Sequence, residues 1–154
     1  MQLAEFIDFD TIKPALSAGN KRVLLQQLSQ FAAQQLSLDS SEIMSSVVAR
    51  ERLGSTGFGQ GVAIPHGKIE GMARVWGMVA RLAIPIDYKA VDGQPVDLVF
   101  FLLSPPDAGA DHLKALAAVS RGLRHGPTLE QLRGAASRDA LAAVLMGVDE
   151  RDAA

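Results

Sequence analysis

Val96-Asp97-Leu98-Val99-Phe100-Phe101-Leu102-Leu103 is almost wholly apolar and of strand length, with only Asp97 interrupting it. A strand that is apolar on both of its alternating faces belongs in the middle of a sheet covered on both sides. Asp92-Gly93 marks a turn before it and Pro105-Pro106 closes it, since proline cannot donate to a ladder. Upstream, Arg74 to Ala83 is β-like through Val75, Trp76, Met78, Val79 and Leu82. Val62-Ala63-Ile64 reads as a short buried strand stopped by Pro65.

Around these strands the apolar period changes to that of a helix. Lys21 to Leu36 returns apolar groups every three or four places through Val23, Leu24, Leu28, Phe31 and Ala32, with Asn20 as N-cap. Ser40 to Leu53 places Ile43, Met44, Val47 and Val48 on one face, and Asp39 with Glu42 resembles a capping box, with Gly54 ending the helix. Arg50 falls near the line of Val47, whereas Glu51-Arg52 read as a solvated face. Asp111 to Leu123 is helical, with Asp111 or Asp107 as entry cap, and His112 falls in its first turn. Thr128 to Arg133 and Ser137 to Met146 complete the set, the latter stopped by Gly147. Helices interleaved with buried strands predict an α/β single layered domain over residues 1–148, and residues 149–154 are expected to form a flexible tail.

The chain has 154 residues, 48% of them hydrophobic, which suits one core. A charged fraction of 21%, a net charge of -2 and no cluster of Lys and Arg argue against nucleic-acid binding. Without cysteine there are no disulfides, thiolate metal sites or Cys nucleophiles, which fits a reducing compartment. The opening MQLAEFIDFD does not read as a signal peptide, and no stretch approaches the roughly 20 apolar residues of a membrane span. The expectation is a soluble cytoplasmic protein with no membrane insertion.

Chemistry concentrates in Ser55 to Lys68, STGFGQGVAIPHGK. It ends a short strand on His66, held between Pro65, which fixes the backbone, and Gly67, which would let another molecule approach. Strand ends are where α/β folds place ligands. A neutral imidazole nitrogen is a competent nucleophile toward phosphorus when its other nitrogen is tied to an acceptor, and a backbone carbonyl of the glycine-rich loop could serve. Phosphoryl transfer also needs charge stabilisation. Arg50 offers a planar fork, Ser55 and Thr56 offer hydroxyl and amide donors in a setting that can form an anion nest, and His112 lies at a helix N-terminus.

Taken singly, each of these has a plainer explanation. A histidine in Pro-His-Gly fits a surface turn, His112 a helix cap, and Arg50 an ion pair within its own helix. The glycine-rich run lacks the Gly-Lys-Ser/Thr ending of a P-loop and the spacing of a dinucleotide fingerprint. His125, before Gly126-Pro127, reads as a helix-end residue, and the three histidines have no metal-ligand spacing.

Ser55-Thr56-Gly57-x-Gly59-x-Gly61-x-Ala63-x-Pro65-His66-Gly67 as a whole resembles the active-site signature of IIA proteins of the fructose and mannitol class of the bacterial phosphotransferase system. The likeness extends to Arg50 in the preceding helix, to Asp111-His112-Leu113 after the central strand, and over about Leu3 to Met146. It implies a mixed central sheet flanked by helices and a phosphohistidine cycle in which an HPr-like phosphocarrier, charged from phosphoenolpyruvate through an Enzyme I, loads His66 while Arg50 and His112 stabilise the transferred group. No cofactor is implied. Gly61-Val62-Ala63-Ile64-Pro65-His66-Gly67-Lys68 looks most like the nitrogen-regulatory branch, which acts on target proteins in potassium and nitrogen metabolism. The other readings are a sugar-specific component passing phosphate to a separate IIB protein for fructose or mannitol uptake, and a module that keeps the fold without phosphorylation. Asp111 stands where the family often has Glu, which leaves the chemistry intact.

Overall fold

The structure, a computed structural model, describes residues 1–153. Two 3-10 turns, Leu3–Glu5 and Phe9–Thr11, precede β1 (Lys13–Leu16), α1 (Lys21–Leu36), α2 (Ser40–Arg52), β2 (Gly57–Gly59), β3 (Val62–Ala63) and β4 (His66–Lys68). Then follow β5 (Trp76–Ile86), β6 (Val96–Ser104), α3 (Ala110–Arg124), α4 (Gly126–Gly134) and α5 (Arg138–Ala153). The sheet order is β1-β5-β6-β3-β2, and β4 also pairs with β6. Since β5 occupies one edge of β6 as far as Leu103, β4 must lie on the same edge as β3. The β1/β5, β3/β6 and β4/β6 pairs are parallel, while β2/β3 and β5/β6 are antiparallel, so the sheet is mixed.

Alternation along β6 explains the layers. Leu98, Phe100 and Leu102 join Ala115, Val119, Leu132, Leu141 and Leu145 on the face covered by α3 to α5. Val99, Phe101 and Leu103 join Leu24, Leu28, Ile43 and Val47 on the face covered by α1 and α2. The doubly buried strand expected from the apolar run is therefore present, one residue longer at Ser104.

Helix α1 has its expected bounds, with the Asn20 side chain accepting from the Val23 amide at 2.9 Å. Asp39 caps α2 by accepting from the Ser41 amide, with no reciprocal bond from Glu42. Helix α3 begins after Gly109 with no side-chain cap, so neither Asp107 nor Asp111 has the capping role expected. The glycine-rich run is not a loop throughout: Gly57 to Ala63 forms a β-hairpin, β2–β3. Gln60 and Gly61 take φ of 58° and 79°, the two positive values that match a two-residue turn to the twist of its strands. Pro65 interrupts the third strand without ending it, because its carbonyl still accepts from the Leu102 amide at 3.0 Å and β4 resumes at His66.

The flexible tail expected from Asp149 is corrected: α5 runs through Gly147 to Ala153, and only Ala154 lies outside the described residues. Val148 packs into the α3 face of the core, and Gly122 on α3 makes room for it, since a Cβ there would sit 2.8 Å from Val148 Cγ1. Asp149 is buried and its carboxylate accepts from the Leu3 amide at 2.7 Å and the Ala4 amide at 2.9 Å. Those amides open a 3-10 turn and would otherwise be orphaned. The end of the chain thus holds its beginning in place, and the beginning supplies edge strand β1, whose Pro14 a sheet tolerates only at an edge. Asp149→Ala is expected to lower stability by about 1–3 kcal/mol, the cost of leaving buried donors unpaired, with urea unfolding as the measurement; an unchanged midpoint would count against this lock.

Candidate active site

His66 opens β4 and is in parallel register with Leu102 of β6. Neighbouring in-register side chains point to the same face, so the imidazole projects to the side covered by α3 and Gly67 projects to the side covered by α2. The surroundings agree. A Cβ on Gly67 would lie 2.6 Å from Ser46 Oγ and 3.3 Å from Val47 Cγ2, so this glycine admits α2 rather than an incoming molecule. Ser46 Oγ also accepts from the Lys68 amide and donates to the Lys68 carbonyl, tying α2 to β4.

His66 is 8% exposed, which corrects the expectation of an open turn residue: it is part of a strand, and the ring of His112 lies against it. Its Nδ1 is 2.8 Å from the Ile64 carbonyl. A carbonyl only accepts, so Nδ1 carries the hydrogen and the Nε2 lone pair of the neutral ring is free. The carbonyl comes from the strand side of the proline, not from the glycine-rich hairpin.

His112, in the first turn of α3, has its ring centroid 5.4 Å from that of His66, at 55° between planes. Its Nδ1 is 2.6 Å from Oγ of Ser104, the fully buried last residue of β6. Arg50, in the last turn of α2, donates from Nη1 to the Gly54 carbonyl at 2.9 Å, and its charge is felt at His66. The fold therefore assembles Arg50, His66 and His112 from α2, β4 and α3. Burial pushes the His66 imidazole below its ordinary value; the Ile64 carbonyl opposes this and the Arg50 charge adds to it. Burial also lowers His112, followed by the nearby His66 and Lys68. Both rings are accordingly neutral at pH 7.

Thr56 does not join this group as a phosphate ligand. Its amide and hydroxyl both donate to the Glu51 carboxylate, and its hydroxyl oxygen is 3.0 Å from Tyr88 Oη. The Ser55 hydroxyl accepts from the Gly57 amide at 3.1 Å, a bond within its own turn. His125 sits at the joint of α3 and α4, with Nδ1 3.3 Å from Thr128 Oγ1.

Glu51, expected on a solvated face, instead carries a side chain only 6% exposed, held by Lys21 Nζ at 2.8 Å and by the Tyr88 hydroxyl at 2.9 Å. Lys21 Nζ also lies 4.2 Å from the Tyr88 ring centroid. Burial pushes the Glu51 carboxyl up, but hydrogen bonds from Lys21 and Thr56 and the Lys21 charge outweigh it, so it stays ionised. This network fixes the end of α2, and with it the residue after Arg50. Lys21 and Tyr88 are remote from Glu51 in sequence, so no local pattern announces it. Ser104 is likewise silent in the sequence beyond being a hydroxyl at the end of an apolar run.

The family model for the phosphoenolpyruvate-dependent sugar phosphotransferase system, EIIA 2, matches residues 5–147. A nitrogen regulatory protein of Bradyrhizobium diazoefficiens is 46% identical over 142 residues, covering 92% of each chain. The crystal structure of nitrogen regulatory protein IIA-Ntr from Neisseria meningitidis superposes with a TM-score of 0.87 at 33% identity, covering 93% of this chain and 98% of that one. The mannitol IIA of Escherichia coli shares the fold at a TM-score of 0.75 and 16% identity, covering 90% and 97%.

In nitrogen-detected imidazole spectra, His66 and His112 should both titrate below 6.5, and neutral His66 should carry its hydrogen on Nδ1. Because both folded values are depressed, the stability these rings contribute is complete above pH 6.5 and is lost as the pH falls from there through the folded values. A His66 signal with the hydrogen on Nε2 would contradict the bond to Ile64.

Proposed function

Since the chain belongs to the EIIA 2 family of the phosphoenolpyruvate-dependent sugar phosphotransferase system, whose members are phosphotransferase components, we propose that His66 Nε2 is the atom on which it carries a phosphoryl group. The bond between His66 Nδ1 and the Ile64 carbonyl carries the reading, because it leaves one nitrogen with a free lone pair and fixes the ring that bears it. The donor is an HPr-like phosphocarrier. The Nε2 lone pair attacks phosphorus, the bond from phosphorus to the carrier breaks, and the released electron pair returns to the carrier; Nδ1 keeps its hydrogen throughout. Arg50 supplies a permanent charge and a planar fork to the phosphoryl oxygens, and neutral His112 supplies an N–H. The unblocked N-terminus of α3 adds partial positive charge on the same side.

The output is regulatory: the phosphorylation state of His66 sets which cytoplasmic target proteins, of nitrogen or potassium metabolism, the chain binds. The names of its similar relatives support this reading. Leu113, 68% exposed and next to His112, offers apolar surface at the site. Bringing roughly two negative charges beside such a surface changes the cost of covering it with a partner.

Incubation with phosphoenolpyruvate, Enzyme I and an HPr-like carrier should add one acid-labile phosphoryl group, by intact mass, to the wild type and none to folded His66→Ala. Arg50→Ala and His112→Ala should be slower by about a hundredfold or more, as expected for loss of one charge-stabilising donor. Undiminished labelling of His66→Ala overturns the assignment. In a cytosolic pull-down, phosphorylated protein and His66→Ala should recover different partners; recovery of only a sugar-specific IIB protein would favour transport over regulation.

A further inference from the structure

Ser104 and His66 lie on the same side of the sheet. His66 is in register with Leu102, and Ser104, two residues on, projects to the same face by the period of the strand. From there its hydroxyl meets His112 Nδ1 at 2.6 Å across the Pro105-Pro106 connection. Ser104 is fully buried, and its side chain makes no other hydrogen bond among the described residues. A buried hydroxyl hydrogen without an acceptor is costly. Among the described residues the only acceptor it is bonded to is the His112 Nδ1 lone pair, so the hydroxyl donates and the hydrogen of the neutral imidazole sits on Nε2.

We propose that Ser104 is a positioning residue that fixes His112 as its Nε2–H tautomer and so makes it an obligate hydrogen-bond donor beside His66. This rests on the reading that His66 carries the phosphoryl group. The two rings, 5.4 Å apart, are then locked in opposite senses by different means. Ile64 holds the hydrogen of His66 on Nδ1 and leaves Nε2 to attack. Ser104 holds the Nδ1 of His112 as an acceptor and leaves Nε2–H to donate. In the alternative tautomer of His112, Nδ1–H would donate to the Ser104 oxygen, which would leave the buried hydroxyl hydrogen without an acceptor and turn a lone pair toward a phosphoryl anion. Protonation of His112 is opposed in the same way, because a hydrogen on Nδ1 would strand the buried hydroxyl. The Lys68 charge on β4, and the charge His66 would carry if protonated, act in the same direction.

The test pairs nitrogen-detected imidazole spectra with phosphoryl uptake from a phosphorylated HPr-like carrier, on the whole chain. Wild-type His112 should show Nε2–H and an Nδ1 signal shifted by an accepted hydrogen bond; in Ser104→Ala that shift should be lost. Uptake by Ser104→Ala should slow on the order of tenfold, the low end for loss of an outer partner of a functional histidine, and Ser104→Thr, which keeps the hydroxyl, should restore most of it. On a His112→Ala background, Ser104→Ala should slow uptake no further, whereas a merely structural serine would slow it equally in both backgrounds. A wild-type His112 with its hydrogen on Nδ1, or equal slowing in both backgrounds, overturns the proposal. A wild-type rate in His112→Ala would instead remove the donor role of His112, while the spectra decide the tautomer independently of it.

Discussion

The pairing of β4 with β6 governs the rest of the site. His66 could not be aimed at α3 unless the chain crossed Pro65 and rejoined the edge of β6 in one particular register, opposite Leu102. A slip of one residue would turn the imidazole to the α2 face and bring Gly67 to the α3 face, because strand side chains alternate. Two features oppose the slip. The Pro65 carbonyl is already bonded to the Leu102 amide, and only a residue without a Cβ fits against Ser46 and Val47. The anchor strand itself is held by burial: Phe100, Phe101, Leu102 and Leu103 are at most 1% exposed. Each contributes about 1.5–3 kcal/mol by leaving water, whereas the exposed Lys89–Asp87 pair is screened by solvent and contributes little.

Arg50 reaches the site through a second constraint, the burial of Glu51. An ionised carboxylate removed from water is tolerated only when paired and hydrogen-bonded. Lys21, Thr56 and Tyr88 supply those partners from α1, the hairpin entrance and the segment after β5. Three separate parts of the chain therefore converge on the residue after Arg50. The position of the guanidinium follows from the satisfaction of its neighbour, and its Nη1 is further held by the Gly54 carbonyl. Thr56, whose residue type suggested a phosphate ligand, serves this network instead.

The histidine pair illustrates how little of a site's chemistry needs to be charged. Both rings are kept neutral by burial, and each has one nitrogen occupied by an oxygen of the sheet, the Ile64 carbonyl or the Ser104 hydroxyl. What remains free on each is Nε2. The permanent charge comes from the Arg50 guanidinium. Such an arrangement is preorganised, so little reorganisation is needed when a negative group arrives.

Much of this was legible along the chain because it depends on local periodicity. The apolar run Val96 to Leu103 determined a doubly covered strand, the three-to-four spacing from Lys21 determined α1 to the residue, and Pro65-His66-Gly67 with His112 identified two rings that meet, with the Arg50 charge felt at His66. Asp149, Glu51, Ser104 and the direction of His66 were not legible. Asp149 read as tail because its partners, the Leu3 and Ala4 amides, lie at the opposite end of the sequence. Glu51 read as solvated because its burial is created by Lys21 and Tyr88, which the fold alone brings near. Gly67 read as an opening because a sequence cannot show that Ser46 fills the space. Local chemistry names the residues that can react; burial, register and the identity of each hydrogen-bond partner are properties of distance in space, and only the tertiary structure decides them.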